Sequence, residues 1–186
     1  MARDGHDQWV RLAALSSLHD GAGDLFERLA ADEDFRSTRH GRQFLLALSR
    51  QVGSAGRDSE MAAAVSSLDG CPDEERSLSE AVVLALFAQQ KPDARSRLLA
   101  MGSGRIKETL DRLLQNAKAK ALDEKIDADQ RIAAIRRFGF SQFRETITVF
   151  ALLLEPRQTN SVQSAAIETL AQFDDAGVAE MLTKHG

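Results

Sequence analysis

Large apolar residues recur at intervals of three and four positions along almost the whole chain. This period places them on one face of an α-helix, whereas a half-buried strand requires alternation, and no convincing alternating segment occurs. Glycine, proline and aspartate interrupt the period at short intervals, which is typical of turns between helices. The pattern therefore predicts ten or eleven helices joined by short turns.

The predicted helices leave few residues unassigned. The stretch from Asp32 to Arg39 is polar and has no helical period, so we expect it to be irregular. The break at 69–73 contains Gly70 and Pro72, two residues that favour turns. The expected helices are 7–18, one opened by Asp24, one around 44–52 that is closed by the segment 53–56, 58–68, 75–90, a short segment ending at Met101, 105–122, 127–138, 141–154, 159–173 and 177–184.

Several of these helices carry similar sequences. Residues 10–18, 130–138 and 162–170 each contain an Ala-Ala pair, then a branched aliphatic residue, then another large apolar residue three positions later; 61–68 is a looser copy. Self-similarity of this kind is typical of repeat architectures. Short side chains let the two helices of a repeat pack closely, and the aliphatic residues fill the seam between repeats.

The helix order near the C-terminus indicates the type of repeat. An apolar helix is followed by a turn at Pro156 and then by the helix that contains Ala165 and Ala166, which is the order of HEAT-like repeats. We therefore expect an all-α fold, a right-handed α-α superhelix (a HEAT/armadillo-like solenoid) of about ten helices. It forms one domain over 1–186, with weaker repeat regularity in 70–118. The expected repeat-defining residues are Arg11, Ala13, Ala14, Leu15, Arg131, Ala133, Ala134, Ile135, Ala165, Ala166 and Ile167.

Two further expectations follow from this order of helices within the repeat. Arg11 and Arg131 are expected to reach turn carbonyls or aspartates of the neighbouring repeat, and Asp127 and Thr159 are expected to cap the helices that follow them. The chain begins on the second helix of a pair and ends on the first. Because half-repeats expose apolar surface, we expect the chain to be a segment of a larger protein.

Segments from most of the chain resemble one family of repeat proteins. They are 119–123, 130–135, 152–158, 162–166 and 173–175, together with 7–15 and 41–45. These segments resemble the HEAT-like, PBS-lyase-type helical region of large planctomycete-type proteins described as membrane-bound dehydrogenases or haem-binding proteins. The resemblance implies a module that connects or docks redox domains. No redox residue carries over, because Cys71 is followed by Pro72 and Asp73 rather than by a haem-attachment pattern.

Composition and charge narrow the classes of function. The chain is 43% hydrophobic and 28% charged, which excludes a fully disordered protein. A net charge of −4 gives no general attraction to nucleic acid or to anionic membranes. Cys71 is the one cysteine, so no internal disulfide forms. No apolar run approaches the length that crosses a bilayer, and nothing in the sequence decides the compartment.

Side chains that carry chemistry are not arranged in a recognisable site. The four histidines, His6, His19, His40 and His185, do not show metal-ligand spacing. The acidic groups, such as Asp32 to Asp34, lack a calcium-loop pattern and suit helix N-termini. An enzyme would resemble the lyases that share such repeats, but no acid, base or nucleophile set is present. We therefore predict no catalytic, cofactor-binding or metal-binding residue.

Basic residues concentrate in one part of the chain and supply an alternative function. They form a possible anion- or partner-binding face made of Lys91, Arg95, Arg97, Arg105, Lys107, Arg112, Lys118 and Lys120. Acidic residues are interspersed, which favours a solvated helical face. The alternative is a binder of an anionic ligand or nucleic acid. Arg36 to Arg42 form a smaller basic loop, interpreted in the same way.

The sequence as a whole favours binding over catalysis. Solenoids bind through the extended surfaces that their repeats build. We expect a non-catalytic scaffold for protein–protein or interdomain contacts, which links the redox modules of a larger protein if the resemblance holds. Its partners are proteins or neighbouring domains, without membrane insertion and without a cofactor.

Overall fold

The computed structural model describes residues 21–68, 72, 75–88, 94–102 and 104–185. Within these residues the chain forms eleven α-helices and one 3-10 helix, and no strand. The predicted all-α class is confirmed. The first predicted helix, with Arg11, Ala13, Ala14 and Leu15, lies outside the described residues.

The helix bounds follow the predicted order. The α-helices are α1 (Ala22–Ala31), α2 (Glu33–Ser37), α3 (Arg39–Ala55), α4 (Asp58–Ser67), α5 (Arg76–Phe87), α6 (Ala94–Met101), α7 (Gly104–Leu122), α8 (Ala128–Arg136), α9 (Phe143–Leu153), α10 (Asn160–Leu170) and α11 (Ala176–His185). The 3-10 helix is Arg137–Phe140, directly after α8. The predicted helix 127–138 is therefore shorter than expected as an α-helix.

Side-chain caps start helices in the stretch predicted to be irregular. The Asp32 carboxylate accepts a hydrogen bond from the Phe35 amide at 3.0 Å, at the start of α2. The Thr38 hydroxyl accepts one from the Gly41 amide at 2.9 Å, at the start of α3. The prediction of an irregular segment is wrong there, because these caps satisfy amides that would otherwise lack partners.

The expected caps of α8 and α10 are absent. Asp127 and Thr159 stand at the N-cap positions, but neither side chain accepts a hydrogen bond from its helix. The Thr159 hydroxyl instead lies 3.2 Å from the hydroxyl of Ser161. That part of the prediction is wrong, since position alone does not orient a capping side chain.

Helix α3 ends within the segment 53–56 that was predicted to close it. Gly53 is buried within the helix, and the turn comes at Gly56, whose φ of 66° is left-handed. A Cβ added to Gly53 would overlap the backbone carbonyl of Leu86 on α5. Gly53 therefore permits the close approach of two helices instead of ending one.

The chain divides into two compact units, Met1–Gln90 with Ser96–Thr109, and Lys91–Arg95 with Leu110–Gly186. We refer to them as unit 1 and unit 2. In unit 1, α1 packs against α3 and α4, and α3 packs against α4 and α5. The largest fully buried side chains of unit 1 are Phe26, Leu45, Leu48, Met61, Leu86, Phe87, Leu98 and Ile106.

Unit 2 has a core of its own. Helix α10 packs against α8 and α9, and α9 also packs against α11. Phe150 lies at the centre of an aromatic group, with ring centroids 5.7 Å from Phe138 and 6.1 Å from Phe173, both edge-on. Small residues of α7, Ala117 and Ala121, close the same core. Edge-to-face packing of this kind adds to the stability gained from burial.

The described helices were also compared with the requirements of a membrane span. A span needs about 20 predominantly apolar residues. None of the described helices is both long enough and apolar enough to cross a bilayer.

Candidate functional site

The strongest polar arrangement of unit 2 surrounds Arg131, in the first turns of α8. Its Nε donates to the carbonyl of Ala121, at the end of α7, at 2.9 Å. Its Nη2 donates to Oε1 of Gln158, just before α10, at 2.7 Å. Arg131 is 6% exposed. The expected acceptor was a turn carbonyl or an aspartate of the neighbouring repeat; the observed backbone acceptor is instead a carbonyl in the last turn of α7.

Gln163 occupies the position of Arg131 in the next copy of the motif, on α10. Its amide nitrogen donates to the carbonyls of Leu154 and Glu155, at 3.2 and 2.9 Å, where α9 ends. Both residues therefore bind the end of the preceding long helix. The last carbonyls of a helix lack intrahelical partners, so these side chains satisfy them. We call Arg131 and Gln163 the motif ties; the sequence predicted only the arginine.

Unit 1 contains a similar arrangement around Arg36. Nη1 of this side chain donates to the carbonyls of Ala30 and Ala31, at the end of α1, at 2.9 and 3.2 Å. Nε forms a 2.8 Å ion pair with Glu75, which precedes α5. The interpretation of Arg36 as part of a solvated basic loop is wrong, because the residue is buried. Arg42 also bonds internally, from Nε to the Arg36 carbonyl at 2.9 Å.

The polar contacts of Arg131 extend to the surface. The Gln158 amide nitrogen donates to Glu124 at 3.2 Å, and Glu124 pairs with Arg157 at 3.2 Å. The hydrogen bond from Arg157 to Glu155, and the charges of Glu155 and Glu124, raise the pKa of the guanidinium above its ordinary value. Arg157 is therefore positively charged at neutral pH.

The repeat-defining residues of unit 2 divide into two groups. Ala134, Ile135, Ala165 and Ala166 are buried, as close helix packing requires. Ala133 is exposed, and Ile167 is 45% exposed although Ile135, at the same motif position, is 0% exposed. The expectation of a filled seam therefore does not hold for Ile167.

The predicted basic face is only partly described. Lys91 and the side chain of Arg95 lie outside the described residues. Arg97 forms an ion pair with Asp58 within unit 1, and its Nη2 also lies 3.5 Å from the carbonyl oxygen of Gly56. Its guanidinium is therefore directed to α4 and the turn before it.

The remaining predicted cations lie on α7. Successive residues of an α-helix are turned by about 100°. In unit 1, Arg105 and Lys107 thus lie on nearly opposite sides of the helix. In unit 2, Lys118 is turned by at least about 120° from Arg112 and from Lys120. Arg112 and Lys120 are turned by only about 80° from each other and lie on the same side of the helix. The described cations of α7 are therefore not all on one face in either unit.

Unit 2 contains an open groove with a volume of about 260 Å³, between α7 and the segment that joins the 3-10 helix to α9. We call it the α7/α9 groove. Its floor is apolar and contains Leu114, Phe138 and Val149. The last two are almost completely buried, at 1% and 2% exposure. Leu114 is only partly buried, so it is the residue of this group that an apolar side chain in the groove would contact most.

Charged residues line the edges of the α7/α9 groove. Asp111 and Lys118 come from α7, and Glu145 comes from α9. Oε2 of Glu145 accepts the Gln142 amide at 3.2 Å, at the N-terminus of α9. Asp111 and Lys118 are exposed and form no ion pair with any residue that the structure describes. The edges of the groove therefore carry three charged side chains, and two of them, Asp111 and Lys118, are of opposite sign and outside any described ion pair.

Hydroxyl groups of the groove are used inside the fold. The Ser141 hydroxyl donates to the Phe138 carbonyl at 2.6 Å, and the Thr146 hydroxyl donates to the Phe143 carbonyl at 3.0 Å. An activated nucleophile needs a base that accepts its proton. These two hydroxyl protons are instead donated to backbone carbonyls.

Within the described ranges, no group of three or more histidine, cysteine, aspartate or glutamate side chains could hold a metal ion.

Comparisons with known proteins return no relative for this chain. No protein-family model matches it, and neither a curated protein nor a solved structure does so. The function is therefore inferred from the geometry of the chain itself.

Proposed function

We propose that this chain is a non-catalytic helical-repeat scaffold that holds a protein partner or a neighbouring domain in place. The proposed architecture is a right-handed α-α superhelix of HEAT-like helix pairs. In the larger protein that the sequence resemblance implies, the scaffold would connect redox modules.

The motif ties are the observation that carries this proposal. Arg131 and Gln163 stand at the same position of two motif copies, and both donate to carbonyls at the end of the preceding helix. A contact that recurs in both of these copies supports a repeating structural unit, whereas the looser copy, 61–68, has Met61 at this position and no side-chain donor there. Repeats of this kind build extended binding surfaces.

The packing within each unit supports the same proposal. In unit 2, α9 contacts the next helix, α10. Helix α8 also contacts α10, and α9 also contacts α11, so each of these two contacts the second helix after it. In unit 1 the long helices α1, α3, α4 and α5 follow the same rule when the short α2 is left aside. Contacts to the next helix and to the one after it are what two layers of stacked helix pairs produce.

Exposed apolar residues provide the places where binding can be tested. Leu99, Ile147 and Ile167 are large and 37%, 40% and 45% exposed. A photo-reactive phenylalanine derivative is introduced at each of them, in cells that produce the whole natural protein. Thr148 and Glu168, exposed polar neighbours on α9 and α10, serve as matched control positions.

We expect discrete cross-linked products, with peptides from one protein or one neighbouring domain recovered from at least two of the three apolar positions. The polar controls should yield less of the same product. A scaffold must contact something persistently, so the absence of any discrete product from all five positions would contradict the proposed function.

A further inference from the structure

The α7/α9 groove points to one kind of partner, an inference that rests on the proposed scaffold function. We infer that the groove binds an amphipathic helical segment of a partner protein. That segment would present an apolar anchor residue between a basic and an acidic side chain. The anchor enters the groove, the basic side chain approaches Asp111, and the acidic side chain approaches Lys118.

The size of the groove favours a side chain over a small molecule. Its volume of about 260 Å³ lies below the roughly 300–1,000 Å³ of typical small-molecule sites. It is also open to solvent, whereas such sites enclose most of their ligand. A space of this size takes one or two apolar side chains over Leu114 and Phe138.

The spacing of the free charges favours a helix as the occupant. Asp111 and Lys118 are seven residues apart on α7, which is about 10 Å along the helix axis, or two turns. A partner helix that lies along α7 places its own residues seven apart opposite these two charges. The partner residues that lie between these two, three or four positions from each, then face the apolar floor, as in other helix-in-groove complexes.

The two charges also give the site its selectivity. Neither Asp111 nor Lys118 forms an ion pair with a described residue. A partner with charges opposite to these two therefore does not have to break an existing ion pair. Charges at the edge of an interface select partners more than they add affinity. The apolar anchor is therefore expected to supply most of the affinity, and the charges most of the discrimination.

Three labelled helical peptides test this inference by fluorescence anisotropy with the full chain. All three carry a central leucine, and they differ in the two residues placed seven apart: arginine with glutamate, arginine twice, or glutamate twice. We expect the mixed peptide to bind best, and a leucine-to-alanine change in it to weaken binding about tenfold or more. Equal affinities for the three peptides, or no binding of the mixed one, would overturn the inference.

Single substitutions in the chain should change the preferred peptide. Asp111→Lys creates two positive edges and should shift the preference to the glutamate-only peptide by about three- to tenfold. Lys118→Asp should shift it to the arginine-only peptide by a similar factor. Asp129→Lys on α8 and Lys120→Asp on α7, both exposed positions outside the groove lining, are the matched controls and should change nothing. Preferences that stay the same in both groove variants would also overturn the inference.

The outcome can be separated from that of the scaffold proposal. If the peptides fail but discrete products form from Ile147 and Ile167, the assignment of the groove is wrong and the scaffold function stands. If both experiments fail, the scaffold function is wrong as well.

Discussion

Two different side chains perform the same task at one position of the repeated motif. Arg131 carries several donors on a planar group and reaches both a carbonyl and Gln158. Gln163 has two amide protons, and its amide nitrogen lies within hydrogen-bond distance of two carbonyls. The task therefore requires a long donor at this position, and a positive charge is not essential for it.

Replacing Arg131 with methionine should destabilise unit 2. The change keeps an unbranched side chain but leaves the Ala121 carbonyl and Oε1 of Gln158 without their donor. We expect the free energy of unfolding to fall by about 2–4 kcal/mol, as measured by urea denaturation. Arg136→Met is the control, because its pair with Glu168 is 3.5 Å long and more than 60% exposed on both sides. Arg136→Met should lower the free energy of unfolding by less than about 1 kcal/mol. Equal losses in the two variants would contradict a stabilising role for the Arg131 hydrogen bonds.

Ile135 and Ile167 provide a second matched pair at the residue scale. They occupy the same position of two motif copies, but the first is 0% and the second 45% exposed. Ile135→Ala should lower the free energy of unfolding by about 2–5 kcal/mol. Ile167→Ala should lower it by less than about 1 kcal/mol. Thermal and urea unfolding measure both, and similar losses would show that the two motif copies are packed alike.

The sequence predicted the motif but not the different burial of its members. Ala134, Ala165 and Ala166 were correctly expected at close helix contacts. The exposure of Ile167 was not predictable, because burial depends on whether another helix covers that side of α10. The tie formed by Gln163 was missed for a different reason, since an exposed glutamine has the same local pattern as one that bonds a carbonyl.

At the scale of helices, the apolar period located most elements and misplaced some of their ends. Helices α4 and α7 begin and end within one residue of the prediction. Helix α2 and the start of α3 were missed because a short polar helix leaves no apolar period. Their caps, Asp32 and Thr38, were the available signal, because these are preferred N-cap residues.

The close approach of α3 and α5 at Gly53 leads to a prediction at the scale of helices. Replacing Gly53 with alanine would push the new methyl group into the Leu86 backbone and force α3 away from α5. We expect a loss of about 1–3 kcal/mol in the free energy of unfolding. The change would otherwise favour the helix, since alanine is a better helix former than glycine.

Ser54→Ala is the control for Gly53→Ala. Ser54 is the next residue of α3 and is exposed, so its substitution should change stability by less than about 0.5 kcal/mol. If Gly53→Ala stabilises the chain as its helix propensity alone would, the close approach of α3 and α5 is not as described.

At the scale of the whole molecule, the sequence favoured a binding function but did not indicate the groove that we propose as the binding surface. The α7/α9 groove joins residues 111–118 with residues 138–149, two segments whose proximity no local pattern reveals. In the sequence, Asp111 and Lys118 belonged to a mixed basic stretch. The fold separates Lys118 from the other cations of α7 in unit 2 and places it at the edge of an apolar groove.

The distribution of charge leads to a prediction about polyanions. The chain carries a net charge of −4, and in neither unit do all the described cations of α7 lie on one face of the helix. We expect no measurable binding of heparin or of single-stranded RNA at physiological salt. Binding of a polyanion is driven by the release of its counterions, and this requires several protein cations together on one surface. Electrophoretic mobility and fluorescence anisotropy measure this. Tight binding that falls steeply with salt would favour the anion-binding alternative.

The central claim is that the chain works by holding a protein segment, and cross-linking from within the α7/α9 groove tests it most directly. A photo-reactive residue replaces Gln115, which lines the groove and is exposed, in cells that produce the whole natural protein. The chain is otherwise native, or carries Asp111→Lys or the control Asp129→Lys. We predict one discrete protein product, equal in the native and control chains and at least about threefold weaker with Asp111→Lys. No discrete product, or the same amount from all three chains, would contradict the claim.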